Sequence, residues 1–294
     1  MRLQLVVNPA AGGGRGARRL PAVEAALSAH DVVVSATRSL EHADTLVAQA
    51  LGDDRVVVAM GGDGLVGRVA GAVAAGGGVL GVLPGGRGND FCRAVGIPLD
   101  PVAACAVLSS GVPTAVDLGY VDDVPFIGIA SLGFDSDVQE RVLTSRLPLG
   151  QLVYLYCSLA SILRWTPAAF SCTVDGAALN LSGWSVAVAN TGMYGGGMRL
   201  APSASVTDGV LDVVTTATTS RLTFLRSLPK VFAGTHVKLA SVSVTPGRVV
   251  TLAADRPFRV FADGDPVGTL PCTVTVRPGA LQVLLPRRLT VPLT

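Results

Sequence analysis

Two glycine clusters and a few acidic turns hold the residues best able to do chemistry. Gly61-Gly62-Asp63-Gly64 follows the β-branched run Arg55 to Met60, and the apolar-periodic stretch Leu65 to Ala75 comes directly after it. Glycines at a strand-to-helix turn let backbone N–H groups approach a phosphate, and the helix N-terminus adds favourable partial charge. The same tetrapeptide also suits a tight turn with an aspartate cap, and on its own it leaves both readings open. A second loop, Pro84-Gly85-Gly86-Arg87-Gly88-Asn89-Asp90-Phe91, follows the next apolar run and again opens a helix. In an open parallel sheet, glycine loops at the carboxyl ends of neighbouring strands line one crevice, so the pair is more specific than either alone. Neither loop is a P-loop, because no Gly-Lys-Ser/Thr follows, and GxGxxG is absent. Asp208-Gly209 and Asp263-Gly264-Asp265 read, from residue types alone, as turns between strands.

The elements that must position these loops change character along the chain. Strand candidates Arg2 to Val7, Val32 to Ala36, Arg55 to Met60 and Val79 to Leu83 alternate with helical stretches such as Ala17 to Ala29 and Glu41 to Leu51. Strand, loop and helix repeated in this way predict parallel strands with crossover helices, and the lack of apolar/polar alternation fits strands covered on both faces. From about Pro113, short strand candidates follow one another: Thr114 to Tyr120, Pro125 to Ser131, Phe170 to Val174, Gly183 to Ala189, Gly209 to Val214, Val237 to Val244, Arg259 to Ala262 and Thr273 to Val276. Helices are expected near Asp137 to Thr144, Gly150 to Leu163 and Ser220 to Phe232. The reading is therefore an α/β domain over residues 1–112 and a β-rich, antiparallel, sandwich-like domain over 113–294, with the site in the cleft between them.

Composition narrows the partners. The 294 residues are 49% hydrophobic and 15% charged, enough apolar material for a large core. Lys plus Arg number 23 against 21 Asp plus Glu, too even a balance for a protein that grips nucleic acid through phosphates. Five dispersed cysteines without a CxxC pair, and three scattered histidines, support neither a disulfide framework nor a zinc site. The opening MRLQLVVNPAAGGG has too short an apolar run for a secretory signal, so a cytoplasmic location is expected. The uncharged stretch Leu147 to Leu163, between Arg146 and Arg164, is interrupted by Pro148, Gly150, Gln151 and Ser158. It reads as a buried or interfacial helix and not as a span, which suggests peripheral association with the inner face of the membrane.

Taken in order, VVNPAAGGG (6–14), VVVAMGGDG (56–64), GVLPGGRGNDFCRAVGIP (81–98), ASLGFDSDV (130–138), ANTGMYGGGMRLAPSASVTDGVLDV (189–213) and VFADGDPVGTLP (260–271) resemble the successive blocks of the diacylglycerol kinase catalytic family, which includes bacterial lipid kinases and sphingosine kinases. The resemblance runs through nearly the whole chain. It implies an ATP-dependent lipid kinase, with diacylglycerol as acceptor, phosphatidic acid as product, and Mg²⁺ as cofactor. Nucleotide contacts carried over residue by residue fall on Asn8, Thr37, Gly61, Gly62, Asp63, Gly64, Arg87 and Gly88. Asp63 is also implied to orient the catalytic Mg²⁺ or the attacking hydroxyl. Asp208 matches a structural Mg²⁺ ligand, with backbone carbonyls near Ser205 and Val210 as co-ligands. Asp263-Gly264-Asp265 aligns with the Asp-Gly-Glu block that supplies the base, so Asp265, or Asp263 two residues away, takes that role. A lipid surface is the implied partner, and a homodimer is a further expectation. After GGDG, where the family usually has Thr-x-Asn-Glu, this chain has Leu65, Val66, Gly67 and Arg68, and Asp265 stands where Glu is usual. One missing methylene shortens the reach by about 1.5 Å, and Glu24, Glu41 and Glu140, the chain's glutamates, lie far from that block in sequence. The competing readings are an NAD kinase-like enzyme, which shares the GGDG loop, and a non-catalytic lipid- or nucleotide-binding pseudokinase, prompted by the lost amide and carboxylate.

Overall fold

A computed structural model describes residues 1–145 and 152–287. The first part runs β1 (Arg2–Val7), α1 (Ala11–Ala26), β2 (Asp31–Ala36), α2 (Leu40–Gly52), β3 (Val56–Gly61), α3 (Asp63–Gly76), β4 (Val79–Pro84), α4 (Asp90–Ala94) and α5 (Pro101–Ser110). The four strands pair in parallel in the order β2-β1-β3-β4. Burial explains their composition: β1, β3 and β4 are buried at every position after the first, so each reads as an unbroken apolar run, whereas the edge strand β2 is partly exposed. The helices take their starts from local chemistry. Ser39 accepts from the His42 amide to cap α2, and Asp100 accepts from Val102 and Ala103 at the start of α5, where Pro101 is tolerated.

The second part runs β5 (Val112–Val121), β6 (Val124–Phe126), β7 (Ile129–Gly133), α6 (Phe134–Thr144), α7 (Leu152–Arg164), β8 (Ala168–Val174), β9 (Ala177–Ala178), β10 (Leu181–Ala189), β11 (Leu211–Ala217), α8 (Arg221–Ala233), a 3₁₀ turn His236–Lys238, β12 (Val242–Gly247), β13 (Val249–Ala254), β14 (Arg259–Ala262), β15 (Asp265–Thr269) and β16 (Cys272–Leu285). Its strands pair antiparallel, and the path β15-β14-β7-β10-β8-β13-β16 continues through β16 into the parallel sheet. Gln282 and Val283 of β16 pair in parallel with Val79 and Leu80 of β4, while the same strand pairs antiparallel with β5 and β13. The end of the described chain thus returns to the first core, where Leu281, Val283, Leu284 and Leu285 pack with residues of β1, β3 and β4. A second core fills the antiparallel part, and an aromatic group lies beside it, with Trp184 stacked on Phe224 at 3.9 Å and Phe134 edge-on to both.

The α/β plus β-rich architecture agrees with the sequence, and the local differences have physical causes. α1 opens at Ala11, but Gly12, Gly13 and Gly14 have positive φ, so the regular helix lies beyond them, and it ends at Ala26 instead of Ala29. Pro125 to Ser131 is two strands, because the chain turns at Ile127-Gly128 where a side chain from elsewhere captures the backbone amides. Residues 237–241 are not strand: the His236–Lys238 turn intervenes and β12 starts at Val242. β11 begins two residues after the expected Gly209, a left-handed position at φ +74°. The strands β13 and β15 and the helix α5 have no counterpart in the sequence expectation. The expected helix Gly150 to Leu163 is α7; Gly150, Gln151 and the flanking Arg146 lie outside the described residues.

Candidate active site

The two glycine loops meet through their backbones. The Gly85 amide donates to the Gly61 carbonyl at 2.8 Å, and a Cβ on Gly86 would stand 2.5 Å from the Cα of Gly62, closer than such atoms come. The loop after β1 closes on the same place, since a Cβ on Gly12 would meet the Gly85 carbonyl at 2.7 Å. Three strand-to-helix turns therefore pack so closely that glycine is required where they touch. Beside them opens a cavity of about 490 Å³. Of the sequence-expected residues, Asn8, Thr37, Gly62, Gly64, Arg87, Asp263 and Asp265 line it, with Arg38, Ser39 and Leu40 on the far side. Gly61, Asp63 and Gly88 are not in its lining but support the loops that are. Asn8 folds its own loop by accepting from the Ala10 amide at 3.0 Å, and the Thr37 hydroxyl donates to the Ser39 carbonyl.

The aspartates do different work. Asp63 is the first residue of α3, and its carboxylate reaches across to the start of α4, accepting from the Phe91 amide at 3.1 Å. It caps a neighbouring helix and so ties the two glycine loops together. Burial, with the Asp90 charge beside it, pushes its pKa up to about 6. Asp263 and Gly264 both have positive φ (52° and 93°) and form the two-residue hairpin between β14 and β15. The Asp263 carboxylate turns inward and accepts from the amides of Ile127 (2.8 Å), Gly128 (2.9 Å) and Ile129 (3.2 Å), the break between β6 and β7. Burial pushes it up to about 7, against the lowering effect of those amides and with the Asp63 charge adding to the rise. The hairpin reading of this tripeptide agrees with the structure, and the same turn places both acids at the cavity. Asp263 sits in the turn, and only Asp265 begins the strand. Asp265 has no hydrogen-bond or ion-pair partner among the described residues, and burial raises its pKa. Its Oδ2 rests against Gly64, in the space a side chain there would fill. One carboxylate is thus pinned and the other is free.

The departures after GGDG have structural counterparts. A Cβ on Gly67 would collide with the Asp263 carboxylate, so that carboxylate occupies the room an asparagine would need. Arg68 makes a bidentate pair with Asp44 on α2, its Nε at 2.9 Å and 3.1 Å from the two oxygens, and so joins α2 to α3 instead of facing the cavity.

The second expected cation site lies apart from the cavity. Asp208 is exposed and accepts from the Val210 amide at 3.2 Å, closing its own turn, and the Ser205 hydroxyl pairs with Thr207. Burial raises the Asp208 pKa, with the charges of Asp117 and Asp212 adding to it, a sign that negative charge gathers there. Among the described residues no three His, Cys, Asp or Glu side chains converge on one point, so a cation at this turn would rely on carbonyl oxygens and water as well. Nearer the cavity, Asp63 and Asp90 stand close enough to repel, a pair of carboxylates whose oxygens also accept from the Phe91 and Gly196 amides. Two residues escaped the sequence reading. Asp90 accepts from the Gly196 amide at 2.8 Å and 3.0 Å, linking α4 to a glycine loop of the β-rich part, and Asp117 accepts from the amides of Gly209 and Gly279. Asp90 lies in the second glycine loop, where its residue type signals only a helix start; Asp117 is hidden in the apolar strand VDLGY, which carries no such signal.

A model of the diacylglycerol kinase catalytic domain matches residues 2–121, and one of the YegS C-terminal NAD kinase beta sandwich-like domain matches residues 128–285. A protein of Mycobacterium tuberculosis H37Rv named diacylglycerol kinase is 35% identical over 298 residues, covering 97% of this chain and 96% of its own length. The chain belongs to the diacylglycerol kinase/YegS-like family of lipid kinases. A Pseudomonas putida KT2440 relative named probable lipid kinase YegS-like is 32% identical over 254 residues, 83% of this chain and 82% of its own. The fold agrees with a crystal structure of a Bacillus anthracis str. Sterne diacylglycerol kinase at TM-score 0.76 and 19% identity, covering 97% of each chain, and with another from that organism at 0.82 and 20%, covering 97% of this chain and 95% of the other. Lipid kinases use a nucleotide.

Proposed function

We propose that this lipid kinase transfers the γ-phosphate of ATP to the hydroxyl of diacylglycerol, giving phosphatidic acid. The observation that carries the reading is the free carboxylate of Asp265 facing the glycine-loop cavity, held there by a hairpin whose other acid, Asp263, is fixed by three amides. Phosphoryl transfer asks a protein mainly to align donor and acceptor and to neutralise developing charge. The backbone amides of 61–64 and 84–88 and the guanidinium of Arg87 face the phosphates. Asp265 accepts the proton of the acceptor hydroxyl, its raised pKa bringing it closer to the working pH of a base. Asp263 sets the position of Asp265. Asp63 and Asp90 would hold Mg²⁺, which supplies neutralisation of phosphoryl charge; Asp208, with the carbonyls of Ser205 and Val210, would hold a second, structural ion. The test is transfer of radiolabelled γ-phosphate into a panel of lipids and NAD. Label in diacylglycerol supports the reading. Label in NAD would favour the NAD kinase-like alternative, and transfer to neither would point to the pseudokinase.

The acceptor is membrane-embedded, so we infer that the enzyme works at the inner surface of the membrane without crossing it. Among the described residues no helix is long and apolar enough to span. α7 exposes Tyr156 (53%), Leu159 (43%) and Leu163 (71%) at i, i+3 and i+7, and α8, in contact with it, exposes Leu222, Leu225 and Phe232. Such an apolar face suits the headgroup boundary of a bilayer. Flotation with anionic vesicles tests this: co-flotation released by salt or carbonate agrees, and extraction by detergent alone, or no binding, contradicts it. A homodimer across the same face is the other occupant, and the oligomeric state in solution separates the two.

A further inference from the structure

A second groove, about 360 Å³, lies behind the nucleotide cavity on the other side of the Gly85-Gly86-Arg87 loop. Arg15, Arg18 and Arg19 reach it from α1, Arg87 from the loop and Arg93 from α4, over a floor of Pro84, Gly85 and Gly86. The three arginines of α1 are spaced i, i+3 and i+4, which places them on one helical face. Asp100, the carboxylate beside the groove, is bound to Arg19 and also caps α5. Arg87 lines both spaces, so Arg15, Arg18, Arg19 and Arg93 are the groove's own guanidinium groups; Asp100 pairs with Arg19 and the Asp90 charge acts on Arg93, which leaves Arg15 and Arg18 as the uncompensated positive charges. None of Arg15, Arg18, Arg87 and Arg93 has an acidic partner in an ion pair among the described residues.

The guanidinium groups are also oriented. Arg15 donates its Nε to the Gly12 carbonyl at 3.1 Å, and Arg93 donates its Nε to the Gly88 carbonyl at 3.0 Å. Anchoring at Nε fixes the plane of the group and leaves its two terminal nitrogens as a fork, the arrangement that grips a phosphate through two parallel hydrogen bonds. Arg18 donates NH1 to the Gly13 carbonyl at 3.4 Å. Arg15 and Arg18, held side by side with no acid paired to either among the described residues, repel each other, and an anion relieves that cost.

We propose that this groove is a second anion site, distinct from the nucleotide cavity, which takes a phosphate-bearing group through Arg15, Arg18 and Arg93. A phosphomonoester or diphosphate matches both the forks and the charge. The group could be carried by a lipid headgroup at the membrane or free in solution, and the chemistry recognised is the same. Gly12 and Gly13, whose carbonyls anchor Arg15 and Arg18, also line the nucleotide cavity, so an occupant of the groove stands against the back of the nucleotide loops.

The full chain and its R15Q/R18Q/R93Q variant distinguish the outcomes, with the double variant R15Q/R18Q as a second comparison that leaves the Arg93 contact to Gly88 intact. Titration with inorganic pyrophosphate, in the presence of a non-hydrolysable ATP analogue, tests the free anion. Co-sedimentation with phosphatidylcholine vesicles, with and without phosphatidic acid, tests the headgroup. The expected result is saturable binding of at least one probe by the wild type, weakened about tenfold or more in both variants because each removed guanidinium takes away a charge-assisted hydrogen bond. Circular dichroism melts and affinity for the ATP analogue should stay near wild type. The readout is the difference between wild type and variants, so it stands whether or not the kinase reading does. Equal binding by wild type and variants would overturn the proposal, as would no binding of either probe by the wild type.

Discussion

The two walls of the cleft are built from different material. The wall from the α/β part is backbone: Gly61, Gly62, Gly85 and Gly86 approach so closely that their identity is set by space, and the groups they offer are amides. The wall from the β-rich part is side chain: a two-residue hairpin presents one free acid and buries another against three amides. A backbone wall tolerates little change, and in the proposed reading it fixes where the phosphates sit. A side-chain wall can retune chemistry by one methylene, and it is there that this chain carries Asp265 in place of the usual Glu. The walls also meet, since Gly64 and Gly67 of α3 make room for Asp265 and Asp263.

Removing the pinned acid should produce the largest effect on the fold. Asp263→Ala leaves the Ile127, Gly128 and Ile129 amides without their acceptor, and at about 1 to 3 kcal/mol for each unsatisfied buried group the loss should reach about 3 kcal/mol or more in chemical denaturation. An unchanged midpoint would mean water replaces the carboxylate, and the side-chain wall would then be less rigid than described. Asp63→Asn should keep the fold and, if Asp63 helps hold the ion as proposed, reduce turnover about a hundredfold. Near-wild-type turnover would reduce Asp63 to the cap it makes on α4, worth about 1 kcal/mol.

Gly86→Ala probes the backbone wall: its Cβ meets the Cα of Gly62, and forced backbone shifts cost about 1 to 3 kcal/mol. Nucleotide affinity should fall with stability, and an undisturbed affinity would break the argument from close approach. Acidity sharpens the contrast between the walls. Asp263 and Asp63 hold protons that the unfolded chain releases, so between about pH 4 and pH 7 the folded state binds more protons and stability falls as pH rises. Denaturation midpoints of the nucleotide-free protein across that window check the sign, and D263N should flatten the slope. The smallest effect belongs to Arg68→Glu, which restores the usual residue. It breaks the pair with the half-exposed Asp44 and should cost about 1 kcal/mol, with turnover unchanged. A large fall in turnover would place Arg68 in the site.

The backbone wall was legible in the sequence because its constraint is local: glycines after an apolar run and before a helix state their own geometry. The side-chain wall was legible only in part. The tripeptide 263–265 announced a turn and two acids, but that Asp263 reaches 134 to 136 residues back along the chain to capture the β6–β7 break is a tertiary fact with no local signature. The same holds for Asp117, whose strand looks apolar, and for β16, whose pairing with β4 depends on a return that no pattern in residues 272–285 encodes. Gly67 looked like a loss when read as a sequence; in the fold its space is filled by Asp263.

The division of labour between the two hairpin acids is tested most directly by measuring γ-phosphate transfer from ATP to diacylglycerol by Asp265→Asn and Asp263→Asn under saturating substrate, with ATP affinity measured in parallel. If the free acid is the base, Asp265→Asn lowers kcat by about 10²-fold or more and leaves ATP affinity within a few-fold, while Asp263→Asn chiefly loses stability and keeps much the larger kcat. Full kcat in Asp265→Asn, with kcat lost in Asp263→Asn, would contradict the assignment.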